Sequence, residues 1–286
     1  MTIGQLYAEI SQGLEQAGVE SAAFEASVLI EELLGLTPGG FLLGKGEAVT
    51  DERADGIRAA AKRRSGGEPL QYIIGSWEFY GRRMIVGENV FIPRPETEQL
   101  IERLSELPLP DNPKIADLCS GSGCIAIAAA AQFPKAQVFS VELSDKALGY
   151  IRRNVELNHT QNVTVVQRDV LRPPDFSEGS PDRIFDGLDV ILSNPPYVPT
   201  WQIDGLQREV QREPHMALDG GGDGLDFYRA ITEGWKKALK PGGMLMYEIG
   251  DGQARDVSEI MERAGYRNIK VYKDYAGTDR IVAAEF

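Results

Sequence analysis

The sequence predicts an α/β fold, with a seven-stranded and largely parallel sheet whose last strand is antiparallel. A small N-terminal helical bundle precedes the sheet and is joined to it by a β-hairpin. Three observations carry this expectation. From Lys114 onward, short apolar runs alternate with helical patterns, which places parallel strands between two helical layers. One strand-to-helix junction is a glycine-rich turn, Asp117-Leu118-Cys119-Ser120-Gly121-Ser122-Gly123. Residues before about 75 show only helical spacing of apolar side chains.

The elements follow in order. The run Gln5 to Leu14 has helical spacing. Ser21 is a candidate cap for a helix from Ala22 to Leu34, with an apolar stripe of Phe24, Val28, Leu29, Leu33 and Leu34 and a stop at Gly35. Thr50 can cap a third helix that has Asp51 and Glu52 in its first turn and Lys62-Arg63-Arg64 in its last. These make a helical domain over 1–70. Over 71–93, the runs 72–80 and 83–86 flank Gly81-Arg82 and read as a β-hairpin linker. Thr97 is a candidate cap for a helix through Leu104. The third part, 94–286, holds strand candidates centred on Ala116, Phe139, Val165, Val190, Leu245, Val271 and Val282. The last two lie close together, which suits an antiparallel pair.

Bulk properties narrow the function classes. The 286 residues are 42% hydrophobic, enough for a sizeable core, and no apolar run reaches membrane-span length. The N-terminus lacks the pattern of a signal peptide, and the two cysteines, Cys119 and Cys124, make no disulfide framework, so the expected location is cytoplasmic. Two histidines and no Cys/His cluster argue against a protein-bound metal. The net charge is −13. A protein that wraps duplex nucleic acid normally carries a basic footprint, whereas neither half of this chain is cationic and basic residues cluster only in the short runs Lys62-Arg63-Arg64 and Arg82-Arg83.

Two motifs carry the chemistry. Gly121 to Ala126 fits G-x-G-x-x-A at a helix start, where backbone N–H groups meet a ligand. Glu142 closes the next strand, and a carboxylate there can accept both hydroxyls of a ribose. The site therefore reads as one for a ribose-bearing cofactor, which the glycines alone do not specify. The second motif is Asn194-Pro195-Pro196-Tyr197, after the apolar run Leu188 to Ser193. Two prolines fix two φ angles and remove two donors, so a stiff loop presents carbonyl oxygens, the Asn194 amide and the flat Tyr197 ring. Such a loop suits an NH2 group on a planar system. Asp169 closes the third strand at the same sheet edge, so Gly121, Glu142, Asp169 and Asn194 converge on one site.

Together these residues resemble the class I S-adenosylmethionine-dependent methyltransferases, which have a Rossmann-like sheet. They most resemble the family that methylates the glutamine of peptide chain release factors, HemK/PrmC. The likeness includes Phe-Ile-Pro-Arg-Pro-Glu-Thr-Glu at 91–98, the glycine turn, and Asn-Pro-Pro-Tyr at 194–197. It continues through Glu213-Pro214, Ala217 to Gly221, and Leu239-Lys240-Pro241-Gly242-Gly243. It implies that S-adenosyl-L-methionine lies against Cys119, Ser120, Gly121, Ser122, Gly123, Glu142, Asp169, Val170 and Asn194. It implies a substrate glutamine held by Phe91, Asn194, Pro195, Pro196 and Tyr197, with Asn194, Pro195 and Tyr197 serving catalysis. The expected partner is a release factor carrying a Gly-Gly-Gln motif, with no membrane or duplex nucleic acid, and the chain is expected to be a monomer that uses the helical domain for substrate recognition.

Two departures from the family pattern stand out. Cys119 takes a position usually held by glycine, and an ordinary φ is expected there. Glu142 replaces a common aspartate. Competing readings are glutamine methylation of a ribosomal protein, adenine amino-methylation of nucleic acid, an NAD-dependent dehydrogenase, and a non-catalytic module. The charge balance opposes a nucleic-acid substrate, and the Asn-Pro-Pro-Tyr loop has no part in hydride transfer.

Overall fold

A computed structural model describes residues 1–286, which form two compact units. The first contains Met1–Ser76 together with Gln207–Arg212, and the second contains Trp77–Leu206 and Glu213–Phe286. No single helix is long and apolar enough to cross a membrane.

The first unit is helical: α1 Ile3–Gln16, α2 Ala22–Leu34, α3 Pro38–Leu43, α4 Asp51–Ser65 and α5 Leu70–Ile74. Thr2 and Gln5 form a capping box on α1, and Ile3, Leu6, Ile10 and Leu14 are its buried stripe. Thr50 caps α4 as expected. Ser21 stands before α2 but makes no side-chain cap, and the buried stripe of α2 is Ala22, Ala26, Leu29 and Ile30. Phe24 and Leu33 instead face outward. Arg64 lies in the last turn of α4, as expected, and does more there than complement the helix dipole. It is buried and pairs with Glu25 at 2.5 Å, and it reaches Glu209 at 3.3 Å. That contact ties Gln207–Arg212 to the helices.

The hairpin is shorter than the sequence suggests. Pro69 opens α5 and Gly75 closes it in the left-handed region, so Tyr72-Ile73-Ile74 are helical rather than extended. The strands are β1 Ser76–Phe79 and β2 Arg82–Ile85. Tyr80 and Gly81 both have positive φ, as a tight two-residue turn between twisted strands requires.

The second unit is built on β3 Lys114–Leu118, β4 Gln137–Glu142, β5 Val163–Gln167, β6 Leu188–Ser193, β7 Leu239–Glu248, β8 Arg267–Lys273 and β9 Asp279–Glu285. They form one sheet in the order β5-β4-β3-β6-β7-β9-β8. Neighbours are parallel except that β9 is antiparallel to both β7 and β8. The helices are α6 Glu98–Ser105, α7 Cys124–Gln132, α8 Asp145–Leu157, α9 His215–Leu218, α10 Asp226–Gly234 and α11 Ala254–Arg263. β6 is buried at every residue, as a central parallel strand covered on both faces must be. One apolar layer contains Leu100, Ile101, Ile125 and Ile127. The other contains Phe185, Tyr228, Trp235 and Tyr247, in which Phe185 meets Trp235 edge-on with ring centroids 5.1 Å apart.

Candidate active site

Sheet order reverses direction at β3. The chain proceeds outward on one side through β4 and β5, then returns to place β6 on the other side. Open α/β sheets bind ligands at such a point, beyond the carboxyl ends of the strands. Leu118 pairs with Ser193 in register, so the glycine turn after β3 and the Asn194 loop after β6 leave the sheet side by side. The Ser193 hydroxyl donates to the Leu118 carbonyl at 2.7 Å and locks the two strand ends together.

Asp117 organises the glycine turn. Its Oδ2 accepts from the Ala126 N–H of α7 at 3.1 Å and from the Ser120 hydroxyl. Ser120 also meets Ser140 at 2.6 Å. The Asp117 side chain is fully buried and its Oδ1 has no partner. Burial pushes its carboxyl up to about 7, against the pull of the Ser120 and Ala126 hydrogen bonds. The Ser120 and Ser122 side chains are buried beneath the turn, and a Cβ at Gly123 would press on Ile151 at 3.1 Å. The face toward the cleft is therefore made of backbone, with Gly121 and the half-buried Cys119 at its surface.

Cys119 corrects the expectation of ordinary φ. Its φ is +62°, in the left-handed region, and Gly121 and Gly123 follow at +56° and +83°. The turn needs this geometry to send the chain from β3 into α7, and Cys119 adopts it at a steric cost that glycine avoids. Burial and the neighbouring acids Glu142 and Asp117 push its thiol well above the ordinary value.

Glu142 lies at the carboxyl end of β4 with both oxygens engaged. Oε2 accepts from Gly121 N–H at 2.8 Å, and Oε1 accepts from Leu143 and Ser144 N–H at 2.8 Å each. Burial raises its pKa, while those three N–H groups favour the charged form. The longer side chain thus braces the glycine turn directly. Asp169 lies two residues beyond β5, and its Oδ1 accepts from Leu171 N–H at 3.0 Å. Val170 is buried, and its carbonyl accepts from Trp235 Nε1 at 2.9 Å, which fixes this loop to the core.

The Asn194-to-Tyr197 loop is clamped from several sides. Gln253 Nε2 donates to the Tyr197 carbonyl at 3.0 Å. Val198 and Asp219 form a parallel bridge, with Val198 N–H donating to Leu218 at 2.9 Å. Gly220 packs so closely that a Cβ there would stand 2.8 Å from the Pro196 carbonyl. That contact explains glycine in the Ala217-to-Gly221 motif. The half-buried Tyr197 phenol is pushed up to about 12 by burial and by Glu248, while Arg280 and Arg94 oppose the shift.

Thr97 does not cap α6 through its side chain. It is buried, and Asn194 Nδ2 donates to its Oγ1 at 3.2 Å. Glu248, the last residue of β7, is likewise buried. Burial pushes the Glu248 carboxyl up to about 7, and Thr97, Arg280 and Arg94 pull it down. The loop bearing Phe91 is held by Glu213, which is buried and accepts from Ile92 N–H at 2.9 Å and from Arg94. The Arg94 guanidinium lies 4.6 Å from the Phe91 ring centroid. Phe91 Cβ is 3.8 Å from the place a Gly121 Cβ would occupy, so its ring borders the glycine turn.

Sequence reasoning assigned no site role to Asp117, Thr97, Glu213, Glu248 or Gln253. A signal existed for Glu248, a carboxylate inside the apolar run Leu245 to Ile249, because unpaired burial of a charge is costly.

Comparison with known proteins agrees with this geometry. A model of the PrmC N-terminal domain matches residues 5–75, and a methyltransferase small domain matches 95–225. A release factor glutamine methyltransferase of Thermodesulfovibrio yellowstonii is 44% identical over 238 residues, covering 82% of each chain. That of Geobacter sulfurreducens is 40% identical, covering 94% of this chain and 91% of that one. That of Moorella thermoacetica is 38% identical, covering 99% and 98%. Among solved structures, the hMettl16 catalytic domain in complex with MAT2A 3'UTR hairpin 6 has a TM-score of 0.57 at 16% identity, covering 83% of this chain and 82% of that one. A methyltransferase from Pyrococcus furiosus has a TM-score of 0.53 at 18% identity, covering 82% and 98%. At these identities the structural likeness speaks to fold alone. The sheet, the switch-point cleft and relatives that match nearly end to end lead to one conclusion: the chain belongs to the release factor glutamine methyltransferase family of S-adenosylmethionine-dependent enzymes.

Proposed function

We propose that this protein methylates the side-chain amide nitrogen of the glutamine in the Gly-Gly-Gln motif of peptide chain release factors. The observation that carries this reading is the polarity of Asn194. Its Nδ2 is committed to Thr97, so its Oδ1 is left to accept from a substrate NH2 group.

The cleft residues fit the cofactor. The backbone of the glycine turn leaves open space over Gly121, where a Cβ would meet only Phe91, at 3.8 Å. Glu142 is an acceptor beside it, and a carboxylate has capacity beyond the three N–H groups it already holds. In this reading Glu142 holds the ribose, Asp169 and Val170 border the adenine, and the backbone of 119–123 lines the remainder. When bound, S-adenosylmethionine supplies a methyl group on positively charged sulfur, to which the amide nitrogen bonds as the carbon–sulfur bond breaks.

The remaining work falls to the chain. An amide nitrogen is a weak nucleophile because its lone pair is delocalised into the carbonyl. Asn194 Oδ1 and the Pro195 carbonyl accept its two N–H groups, hold it in line, and stabilise positive charge as it develops. Tyr197 packs on the amide plane, and Pro196 and Phe91 complete the walls. The proton leaves the nitrogen for water after the bond has formed.

One glutamine side chain offers little binding energy to distinguish it from others. Selection therefore rests on remote surface, a role we assign to the first unit docking on the body of the factor. The test is incubation with methyl-labelled cofactor and, separately, purified release factors, ribosomal proteins and nucleic acid. Label on the Gly-Gly-Gln glutamine, absent from a factor with alanine at that position, supports the reading. Label on ribosomal protein or nucleic acid in preference to release factor overturns it.

A further inference from the structure

We infer that Trp201 is a specificity-determining residue whose exposed indole receives the main chain of the two glycines that precede the substrate glutamine. The inference rests on the proposed methylation of a Gly-Gly-Gln motif and deepens it by naming what on this chain reads the glycines.

Trp201 is 75% exposed, although a tryptophan side chain has a large apolar area to bury. Trp235 shows the usual outcome, fully buried with its Nε1 on the Val170 carbonyl. A lone exposed apolar side chain is ordinary on a protein surface, but this one is held in place beside the cleft. It lies in the 3₁₀ helix Thr200–Gly205, four residues after Tyr197. The residues on either side are pinned. Thr200 N–H donates to the Gly221 carbonyl at 2.9 Å, its hydroxyl donates to Asp219 Oδ1 at 2.7 Å, and Gln202 N–H donates to the Pro199 carbonyl at 2.8 Å. Ile203 is buried and anchors the same helix. Gly224 packs so closely under the preceding step that a Cβ there would stand 3.2 Å from Pro199 Cδ. The indole is thus presented by a fixed segment, and a partner that covers it has little chain left to order.

The Asn194 loop recognises an amide, which every glutamine offers. Selection between glutamines needs a contact with what lies beside them. Two glycines offer no side chain. They offer flat peptide groups with no Cβ, which another surface can approach more closely than those of any other residue. A flat ring held at a fixed height suits them, and a methyl group on either glycine would lift the peptide off the ring. The reach agrees. From Tyr197 to Trp201 the chain spans at most about 14 Å, and the two residues before a bound glutamine extend roughly 7 Å beyond it. The glutamine and indole side chains bridge the difference.

The experiment measures kcat/KM on a short peptide containing Gly-Gly-Gln and on the same peptide with alanine beside the glutamine, for wild type, Trp201→Ala and Trp201→Phe. Trp201→Ala is expected to lower kcat/KM on the Gly-Gly-Gln peptide on the order of 10-fold, as truncation of an aromatic anchor does. Trp201→Phe keeps a flat ring and should stay within about threefold of wild type. Cofactor affinity should stay within about twofold in both, as for other surface changes. Alanine in the peptide should cost at least about threefold less in Trp201→Ala than in wild type, because the ring it collides with is gone. Binding is read separately by acrylamide quenching of tryptophan fluorescence with S-adenosylhomocysteine present, so that no turnover occurs. The chain has three tryptophans, and Trp235 is buried and Trp77 half-buried, so Trp201 is the accessible emitter. The Gly-Gly-Gln peptide should shield wild-type emission and leave that of Trp201→Phe unchanged. If only the intact factor is methylated, the same comparison is run on the factor. Unchanged kcat/KM in Trp201→Ala, additive losses from the two alanine changes, or quenching that the substrate does not alter would overturn the inference and leave the functional reading standing. A wild-type protein that labels neither peptide nor factor would overturn the functional reading, and the inference with it.

Discussion

Position 119 allows the backbone geometry of the cofactor turn to be tested by the sign of one comparison. Cys119 has φ +62° at the junction of β3 and the turn. In the left-handed region a Cβ crowds the carbonyl oxygen, at a cost of roughly 1–2 kcal/mol that glycine escapes. Glycine in turn loses more chain entropy on folding, worth about 0.4–1 kcal/mol against alanine at an unstrained position. The two effects oppose each other, so the comparison of Cys119→Gly with Cys119→Ala isolates the strain, because both variants lose the sulfur and its packing. At an ordinary φ, alanine is the more stable of the two. At φ +62°, glycine should be more stable by about 0.5–1 kcal/mol. For a protein of this size that is a difference in melting temperature of about 1–3 °C. Urea unfolding and thermal melting without cofactor, run side by side on the two variants, measure it. An alanine variant more stable than the glycine variant would refute the left-handed assignment at 119, and with it the argument that Cys119 stores strain in the turn.

Three further outcomes follow from the site. Glu142→Ala should weaken S-adenosylmethionine binding about tenfold or more, since a hydrogen bond to a charged group is worth roughly 1.5–3 kcal/mol; unchanged calorimetric affinity in the folded variant would remove Glu142 from the ribose site. Glu248 has a folded pKa raised to about 7 from an ordinary 4.5, so the fold holds a proton that the unfolded chain releases. Its contribution to stability is therefore full below about pH 4.5 and lost by about pH 7. Glu248→Gln does not titrate, so its stability relative to wild type should rise across that window by up to about 3 kcal/mol; a pH-independent difference would contradict the buried ionisation. If the first unit docks on the factor, a chain lacking residues 1–75 should keep its cofactor affinity and its rate on a short Gly-Gly-Gln peptide but methylate the intact factor poorly. An unchanged rate on the intact factor would show that docking lies elsewhere.

The strand positions were legible because parallel strands buried on both faces read as continuous apolar runs, as at Leu188 to Ser193. The parallel run and the antiparallel pair at its end also followed, from the helices between the strands and the short connection between the last two, while the order of the strands in space came only from the structure. The helical elements were less legible where tertiary packing overrode local pattern. Phe24 and Leu33 fit an apolar stripe on α2, yet the buried face is set by Ala22, Ala26, Leu29 and Ile30. Arg64 looks like a dipole-complementing cation at the end of α4, yet it is buried between Glu25 and Glu209. The second of those partners comes from a segment 145 residues further along, which no local reading can supply.

The cleft divides along the same line. Gly121, Glu142 and Asn194 were recognisable because each lies at or just beyond the carboxyl end of its strand, where such sheets bind ligands. Thr97 was read as a cap because threonine before a helix usually is one. What redirects it is the arrival of Asn194 just beyond the end of β6, with its Nδ2 donating to the Thr97 hydroxyl. Glu248 shows the general difficulty. A carboxylate at the end of an apolar strand signals that something must stabilise it, but the partner is chosen by sheet order and not by sequence distance.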